Sequence, residues 1–135
     1  MIQKLVQAAL KARESAYAPY SHYAVGAALL TSDGRVYQGC NVENAAYGAT
    51  NCAERTAFFK AVSEGDRQFE AIAIAGGLAG KEPEEYAYPC GVCRQVMMEF
   101  CGPEFKIIVA RSCEDYRVMT LNELLPHGFG GARIV

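Results

Sequence analysis

Apolar residues near the start of the chain recur at the three- to four-residue spacing of an amphipathic helix. They are Ile2, Leu5, Val6, Ala9, Leu10 and Ala16. This pattern predicts a helix over residues 2–16. A second helical pattern covers residues 51–63 and stops at Gly65. A third helix is predicted to open at Pro89 and to end at Gly102-Pro103.

Between these helices the pattern changes to short apolar runs, which are typical of strands. Two such runs flank Asp33-Gly34, a pair that supplies the positive φ of a tight hairpin turn. The predicted strands are residues 25–31, 36–41, 70–75 and 106–110, with 116–119 as a candidate for another. Thr120 and Glu123 have the spacing of a capping box for a short final helix through Leu125.

The order of these elements predicts the fold class. Helices alternate with strands in a way that suits an α/β fold, a three-layer α-β-α sandwich around a mixed sheet of about five strands. The chain contains no repeat, low-complexity tract or linker. We therefore expect residues 1–135 to form a single domain, which is also what the length favours.

Composition excludes several classes of protein. Apolar residues make up 51% of the chain and charged residues 21%, which excludes intrinsic disorder. The net charge of -2 argues against a nucleic acid as partner, because such proteins usually carry a basic surplus. No apolar run approaches the roughly 20 residues that span a bilayer, so no membrane partner is expected. We expect a soluble, cytoplasmic protein.

Three of the six cysteines stand at predicted helix starts. Cys52 opens one helix, and Cys90 and Cys93, which share a helix face, open another. Without a secretory segment, so many cysteines favour metal binding or redox chemistry over disulfides. A helix N-terminus lowers a thiol pKa, so thiolates form there readily. Three thiolates would fill three corners of a tetrahedral Zn²⁺ site and leave the fourth for water, as in catalytic zinc sites.

Two residues beside Cys52 complete this pattern. Glu54 could reach a water on the metal and act as the catalytic acid and base, which matches the Cys-x-Glu and Pro-Cys-x-x-Cys pattern of zinc deaminases. Zinc with three thiolates carries a formal charge near −1, which weakens it as a Lewis acid. Arg55 could withdraw that charge by donating hydrogen bonds to the sulfurs.

With these motifs the chain resembles the small, homotetrameric type of cytidine deaminase almost from end to end. The similar segments are residues 20–29, 39–45, 52–57, 89–96 and 124–126. The resemblance implies a zinc-dependent hydrolase with one Zn²⁺ per chain. It would convert free cytidine and 2′-deoxycytidine to the uridines with release of ammonia, in pyrimidine salvage. It also implies a homotetramer with its active sites at subunit interfaces.

The resemblance further implies the substrate contacts. Asn41 and Glu43 would hold the ribose hydroxyls, and a carboxylate that accepts O–H groups suits a sugar clamp. Tyr23, where the family usually has Phe, would line the base pocket. The main-chain N–H of Ala53 and the carboxylate of Glu54 would read the pyrimidine edge.

Two aromatic residues are implied to act across subunit boundaries. Tyr47 and Phe129 would enter the pocket from neighbouring subunits, so that assembly completes the site. Tyr88 departs from the family pattern, since relatives commonly carry Ser or Thr before the corresponding Pro89. This departure, like Tyr23, predicts a local change in packing around the base.

Other interpretations of the same residues stay open from sequence alone. Glu54 has capping-box spacing to Asn51, and Asn41 could end its strand by bonding local backbone. A deaminase of a modified cytosine nucleoside, such as blasticidin S, would share the metal motif, although Arg55 and Glu43 favour plain cytidine.

A non-catalytic structural zinc module or a redox pair is the alternative from another class. A closed zinc site would need a fourth ligand, for which the candidates are Cys40, Cys101, Cys113, His22 and His127. None of these has a motif-like spacing to the trio. The three cysteines among them stand on apolar elements, where we expect small buried hydrophobes.

Overall fold

The structure is a computed structural model and describes residues 1–131. This part of the chain contains four α-helices. Helix α1 is Ile2–Ala12, α2 is Ala53–Ser63, α3 is Gly91–Phe100 and α4 is Leu121–Leu124. Short 3₁₀ turns at Arg13–Ser15 and Tyr47–Ala49 accompany them. No helix in the described residues is long and apolar enough to cross a membrane.

Five strands form one mixed sheet. They are β1 (Tyr23–Thr31), β2 (Val36–Cys40), β3 (Phe69–Leu78), β4 (Lys106–Ser112) and β5 (Asp115–Thr120). Their order across the sheet is β2-β1-β3-β4-β5. The β3–β4 pair is parallel, and the other three neighbouring pairs are antiparallel. The predicted mixed sheet with helices on both faces is confirmed.

The two faces of the sheet carry side chains of different size, because successive strand residues point to opposite sides. The face toward α2 and α3 is built mainly from large residues: Leu29, Ile72, Ile74, Ile107 and Val109. The face toward α1 is mainly alanine: Ala28, Ala71, Ala73, Ala75 and Ala110. Helix α1 therefore lies close to the sheet, and the bulkier core lies beneath α2 and α3.

Glycine allows one helix on each side to touch the sheet backbone. A Cβ atom on Gly26 would lie 2.0 Å from the carbonyl oxygen of Ala9 in α1. On the other face, a Cβ on Gly39 would lie 2.4 Å from the carbonyl oxygen of Ala53 and 2.6 Å from the nitrogen of Ala57. The first turn of α2 thus rests directly on β2, which fixes where that helix begins.

The predicted elements are present with shifted ends. The first helix stops at Ala12 and continues as a 3₁₀ turn, and the predicted strand 70–75 extends over Phe69–Leu78. The strand candidate at 116–119 is confirmed within β5. The capping box between Thr120 and Glu123 is also present, with both reciprocal hydrogen bonds.

Candidate active site

Helix α2 begins at a cysteine held by a short β-bridge. Val42 and Asn51 exchange backbone N–H···O hydrogen bonds of 2.9 Å each, which keeps Asn51 extended. Cys52 is then the N-cap residue, without a side-chain capping bond. The Asn51 side chain donates to the Thr56 hydroxyl at 3.0 Å. The alternative interpretation of Glu54 as a capping partner of Asn51 is therefore not supported, and Glu54 is left available for another role.

Helix α3 begins at Cys90, again without a side-chain capping bond. Arg94, in the first turn of α3, secures this start: its Nε donates to the Pro89 carbonyl at 2.8 Å and its Nη1 to the Leu124 carbonyl at 2.7 Å. The start of α3 is thus tied to the end of α4. Both helix starts bring cysteine side chains to the same place.

The sulfur atoms of Cys52, Cys90 and Cys93 all lie within 4.8 Å of one another. The Cys52 and Cys90 sulfurs are 3.8 Å apart. Tetrahedral zinc with Zn–S bonds of about 2.3 Å requires sulfur pairs roughly 3.8 Å apart, so the spacing and the all-thiol donor set fit Zn²⁺. In the described residues this cluster contains no fourth protein ligand, which leaves a coordination position for water.

The electrostatics of the cluster already favour a thiolate. The pKa of Cys52 is lowered to about 5, first because the Cys93 thiol donates a hydrogen bond to it, and also because Arg55 and Cys90 contribute. The pKa of Cys93 is raised in return, because its thiol donates to that thiolate and because it is buried. Arg55 Nη2 donates to the Cys52 sulfur at 3.2 Å. Arg55 thus lies where it can reduce negative charge on sulfur.

Glu54 is buried in the first turn of α2, with 4% of its surface exposed. Burial raises the pKa of this carboxyl to about 7; the negative charge of Cys52 adds to the rise, while its own backbone amide and Arg55 oppose it. A carboxyl that titrates near neutral pH can both accept and return a proton. Glu54 lies at the edge of a cavity that Cys52 and Cys90 also line, so a molecule bound there could exchange a proton with it.

This cavity, the first cavity, has a volume of about 400 Å³. Of the residues named from sequence, it is lined by Tyr23, Asn41, Cys52, Ala53, Glu54 and Cys90. Residues that the sequence analysis did not assign to a site also line it: Val25, Thr50, Asn51, Ile74, Tyr86 and Ala87, together with Tyr88. These residues come from two strands and two loops, and no local sequence pattern marks them as neighbours. Only Tyr88 is singled out in the sequence, as a departure from the family pattern before Pro89.

Asn41 and Glu43 both have hydrogen-bonding roles within the chain. The Asn41 side chain donates to the Tyr23 carbonyl at 2.8 Å and accepts from the Val25 N–H at 2.9 Å. The Glu43 carboxylate accepts from the N–H groups of Tyr20 and Ser21 and from the Ser21 hydroxyl. These bonds, the Ser21 hydroxyl first, hold the pKa of Glu43 below its usual value. Asn41 therefore braces the first residues of β1, and Glu43 braces the turn before that strand.

Glu43 does not line the first cavity but a second cavity of about 300 Å³ beside it. This second cavity is lined by Tyr20, Ser21, Glu43, Asn44, Tyr47 and Thr50. Thr50 lines both cavities, which therefore adjoin. The structure thus separates the two acidic residues of the predicted site, with Glu54 in one compartment and Glu43 in the other.

The two aromatic residues expected to act across subunits are both exposed. Tyr47 is 78% exposed and Phe129 is 51% exposed. Tyr47 borders the second cavity and packs edge-on against Tyr20, with ring centroids 6.3 Å apart. Phe129 has its carbonyl held by the Gln95 side chain at 2.9 Å. Neither side chain lines the first cavity of its own chain.

The remaining cysteines are separate from the cluster. Cys40, Cys101 and Cys113 are partly buried rather than fully buried as expected. Burial raises the pKa of Cys101 to about 12 and also raises the pKa of Cys40. Thiols with raised pKa values stay protonated at neutral pH, so these two behave as small hydrophobes.

A three-thiol metal site beside a buried carboxylate, on an α/β sandwich, defines the class of hydrolytic zinc deaminases. The family model described as "Cytidine and deoxycytidylate deaminase zinc-binding region" matches residues 1–109. The chain therefore belongs to the cytidine deaminase family, an enzyme family whose cofactor is zinc. The predictions from sequence that the protein is a member of this family, is an enzyme and uses zinc are confirmed.

Proteins similar to this chain match it along nearly its whole length. A cytidine deaminase from Sporosarcina psychrophila is 49% identical over 128 residues, covering 95% of this chain and 90% of its own. One from Halalkalibacterium halodurans is 50% identical over 127 residues, covering 94% and 92%. The crystal structure of cytidine deaminase from Burkholderia pseudomallei matches with a TM-score of 0.85 at 50% identity, covering 93% of this chain and 97% of that one. The alternatives weighed from sequence are not favoured by these matches.

Proposed function

We propose that this chain catalyses the hydrolytic deamination of cytidine and 2′-deoxycytidine to uridine and 2′-deoxyuridine with release of ammonia. The observation that carries the proposal is that the buried carboxylate of Glu54 and the thiols of Cys52 and Cys90 open onto one cavity. That cavity is large enough for a pyrimidine ring. The relatives of the chain are named cytidine deaminase.

Cys52, Cys90 and Cys93 are the proposed zinc ligands, with one ion per chain. Bound there, zinc supplies a Lewis acid that makes a water molecule more acidic and stabilises developing negative charge. Arg55 supports this chemistry: its guanidinium hydrogen-bonds the Cys52 sulfur at 3.2 Å and so draws charge from the ligand set. A closed structural zinc site would need a fourth protein ligand, and within residues 1–131 the cluster has three.

Glu54 is the proposed proton carrier. It takes a proton from the attacking water and delivers it to ring N3, which makes C4 electrophilic. After the water oxygen has bonded to C4, Glu54 moves the remaining hydroxyl proton to the amino group. The C4–N bond then breaks and ammonia leaves, so that cytidine and water become uridine and ammonia. Its burial keeps bulk water from supplying or removing the proton.

Backbone and aromatic groups orient the base. The first N–H groups of an α-helix have no partner within the helix, so the Ala53 N–H can donate to an oxygen or nitrogen of the pyrimidine edge. Ala53 is fully buried and lines the first cavity. Tyr23, also on the cavity wall, supplies an aromatic face for the ring.

The sugar is proposed to extend from the first cavity past Thr50 into the second. Asn41 uses one of its two N–H donors and one lone pair within the chain, so one of each remains for a hydroxyl. Glu43 has about four acceptor positions and uses three, so it can accept one hydroxyl proton more. The ribose clamp therefore has one acceptor on each side chain, together with one donor on Asn41.

Assembly is proposed to complete the site. Tyr47 and Phe129 are largely exposed in the single chain, so their rings are free to contact a neighbouring subunit. We propose a homotetramer in which these residues enter neighbouring pockets. A free nucleoside substrate and this assembly suit a cytoplasmic enzyme of pyrimidine salvage that acts on no nucleic acid.

A substrate panel tests the proposal. Purified protein of measured zinc content is offered cytidine, 2′-deoxycytidine, cytosine, deoxycytidine monophosphate and blasticidin S, with turnover followed by ultraviolet absorbance and ammonia release. Turnover of the two plain nucleosides, lost on chelation and regained with Zn²⁺, is the expected result. Turnover of blasticidin S alone, or none at one zinc per chain, would refute the proposal.

A further inference from the structure

The connection from β3 to α3 forms one wall of the first cavity although it is neither helix nor strand. Within residues 79–90, Tyr86, Ala87 and Tyr88 line the cavity directly before Cys90. A segment without a backbone hydrogen-bond ladder depends on side chains to keep its position. Around Tyr86 and Tyr88, the side chains that do so come from the hairpin of β4 and β5.

Tyr86 is held on three sides by that hairpin. Its hydroxyl donates to the carboxylate of Asp115. The guanidinium of Arg111 lies 5.0 Å from the ring centroid and donates from Nε to Asp115 at 2.8 Å. The guanidinium of Arg117 lies 4.3 Å from the same ring centroid. Cations at these distances are attracted to the electron-rich face of the ring.

Arg117 also reaches the second tyrosine of the wall. Its Nη1 donates to the Tyr88 hydroxyl at 3.1 Å. One guanidinium therefore touches both Tyr86 and Tyr88, whereas Arg111 binds Tyr86 and the backbone carbonyl of Glu84. Arg117 is exposed on β5 and lines neither cavity itself.

We propose that Arg117 is a positioning residue for substrate binding, acting through Tyr86 and Tyr88. This inference rests on the proposed function, since it takes a cytosine nucleoside as the occupant of the cavity. A wall that contacts the ring throughout the reaction binds substrate and transition state alike, so its loss raises KM with little change in kcat. Loss of the Arg117 contacts should leave the cysteines of α3 in place, because Arg94 separately holds the carbonyl of Pro89.

Steady-state kinetics with cytidine on the zinc-loaded full chain test the proposal. Arg117→Met removes the charge and the hydrogen bond at similar length, and we expect KM to rise about tenfold with kcat within about twofold of wild type. Arg117→Lys keeps a cation near Tyr86 and is expected to recover part of the loss. Tyr88→Phe removes only the hydroxyl contact and is expected to give a smaller rise in KM.

Arg35→Met is the matched control, because Arg35 is also an exposed arginine but lies in the turn before β2 and pairs with Asp33 and Asp66. It should leave KM and kcat unchanged, and zinc content should stay at one per chain in every variant. A rise in KM that exceeds the fall in kcat supports the inference. A fall in kcat at unchanged KM, the mark of a merely structural role, or no change at all, overturns it. Wild-type protein without cytidine turnover would instead refute the proposed function, and this inference with it.

Discussion

The starts of α2 and α3 both bring cysteine sulfurs to the three-thiol cluster, but different contacts hold them in place. Cys52, Ala53 and Glu54 lie against the sheet, with Gly39 allowing backbone contact beneath them. Cys90 is exposed, and the start of its helix is held by hydrogen bonds from Arg94. The packed start carries Glu54, the proposed proton carrier, which needs a fixed position and a dry environment. The other start contributes two sulfurs, whose geometry a bound ion can itself enforce.

The largest expected effect comes from changing the chemistry of the packed start. Glu54→Gln keeps the size of the side chain but removes its ability to accept a proton. We expect kcat to fall by about 10²–10⁴-fold with zinc still at one per chain, measured by cytidine turnover and metal analysis. Glu64→Gln at the exposed end of the same helix is the control and should keep normal turnover. Near-normal turnover of the Glu54 variant would contradict its assignment as the proton carrier.

Removing a sulfur from the start of α3 should weaken metal binding and, through it, stability. Cys90→Ala leaves two thiols, and we expect zinc affinity to fall by more than about 100-fold, with a lower Tm because metal binding and folding are linked. Competition with a chelator and thermal unfolding would measure both. Cys113→Ser, which alters a cysteine outside the cluster, should change neither. Full zinc retention by the Cys90 variant would show that another group completes the site.

Disturbing the contact beneath α2 should affect stability and activity together. Gly39→Ala places a Cβ within 2.4 Å of the Ala53 carbonyl oxygen, so the helix start must shift. We expect a loss of about 1–3 kcal/mol in unfolding free energy from denaturant titration, and about tenfold lower kcat. Gly102→Ala, where a Cβ meets no atom within 4 Å, is the matched control and should stay within about 0.5 kcal/mol. Equal behaviour of the two variants would argue against backbone packing as the support of α2.

The smallest effect is expected where support for α3 is indirect. Thr120 caps α4, whose end offers the Leu124 carbonyl to Arg94. Thr120→Ala should cost about 1 kcal/mol of stability and leave zinc affinity nearly unchanged. Asn122→Ala, an exposed change in the same short helix, should stay within about 0.5 kcal/mol. A large loss of zinc in the Thr120 variant would mean that α4 controls the start of α3 more directly than Arg94 implies.

The chemistry-bearing residues of the candidate site were the most predictable part of the molecule. A zinc site needs thiols at set spacings, and Cys52, Cys90 and Cys93 show that spacing in the printed sequence. The helix and strand periodicities likewise predict the layers of the fold, because burial on one face imposes a repeat on each element. Glu54 was recognisable as a candidate catalytic residue only because it stands two positions after Cys52 in the sequence.

Long-range contacts account for what sequence did not predict. The start of α2 depends on the bridge between Val42 and Asn51. Local capping patterns in the sequence do not predict this bridge. The pairing of Arg117 with Tyr88 joins residues 29 positions apart in the chain. The cavity wall beside Tyr86 is set by such contacts, so it could be found only in three dimensions.

The metal ligands are supplied by stretches of chain separated by an entire strand. Cys52 and Cys90 stand 38 positions apart, and β3 lies between them in sequence and in the centre of the sheet. During synthesis on a ribosome, the first sulfur emerges long before the other two. We therefore expect the nascent chain to acquire its ion late, once β3 and the start of α3 have emerged, so that metal uptake follows the pairing of β3 with β1.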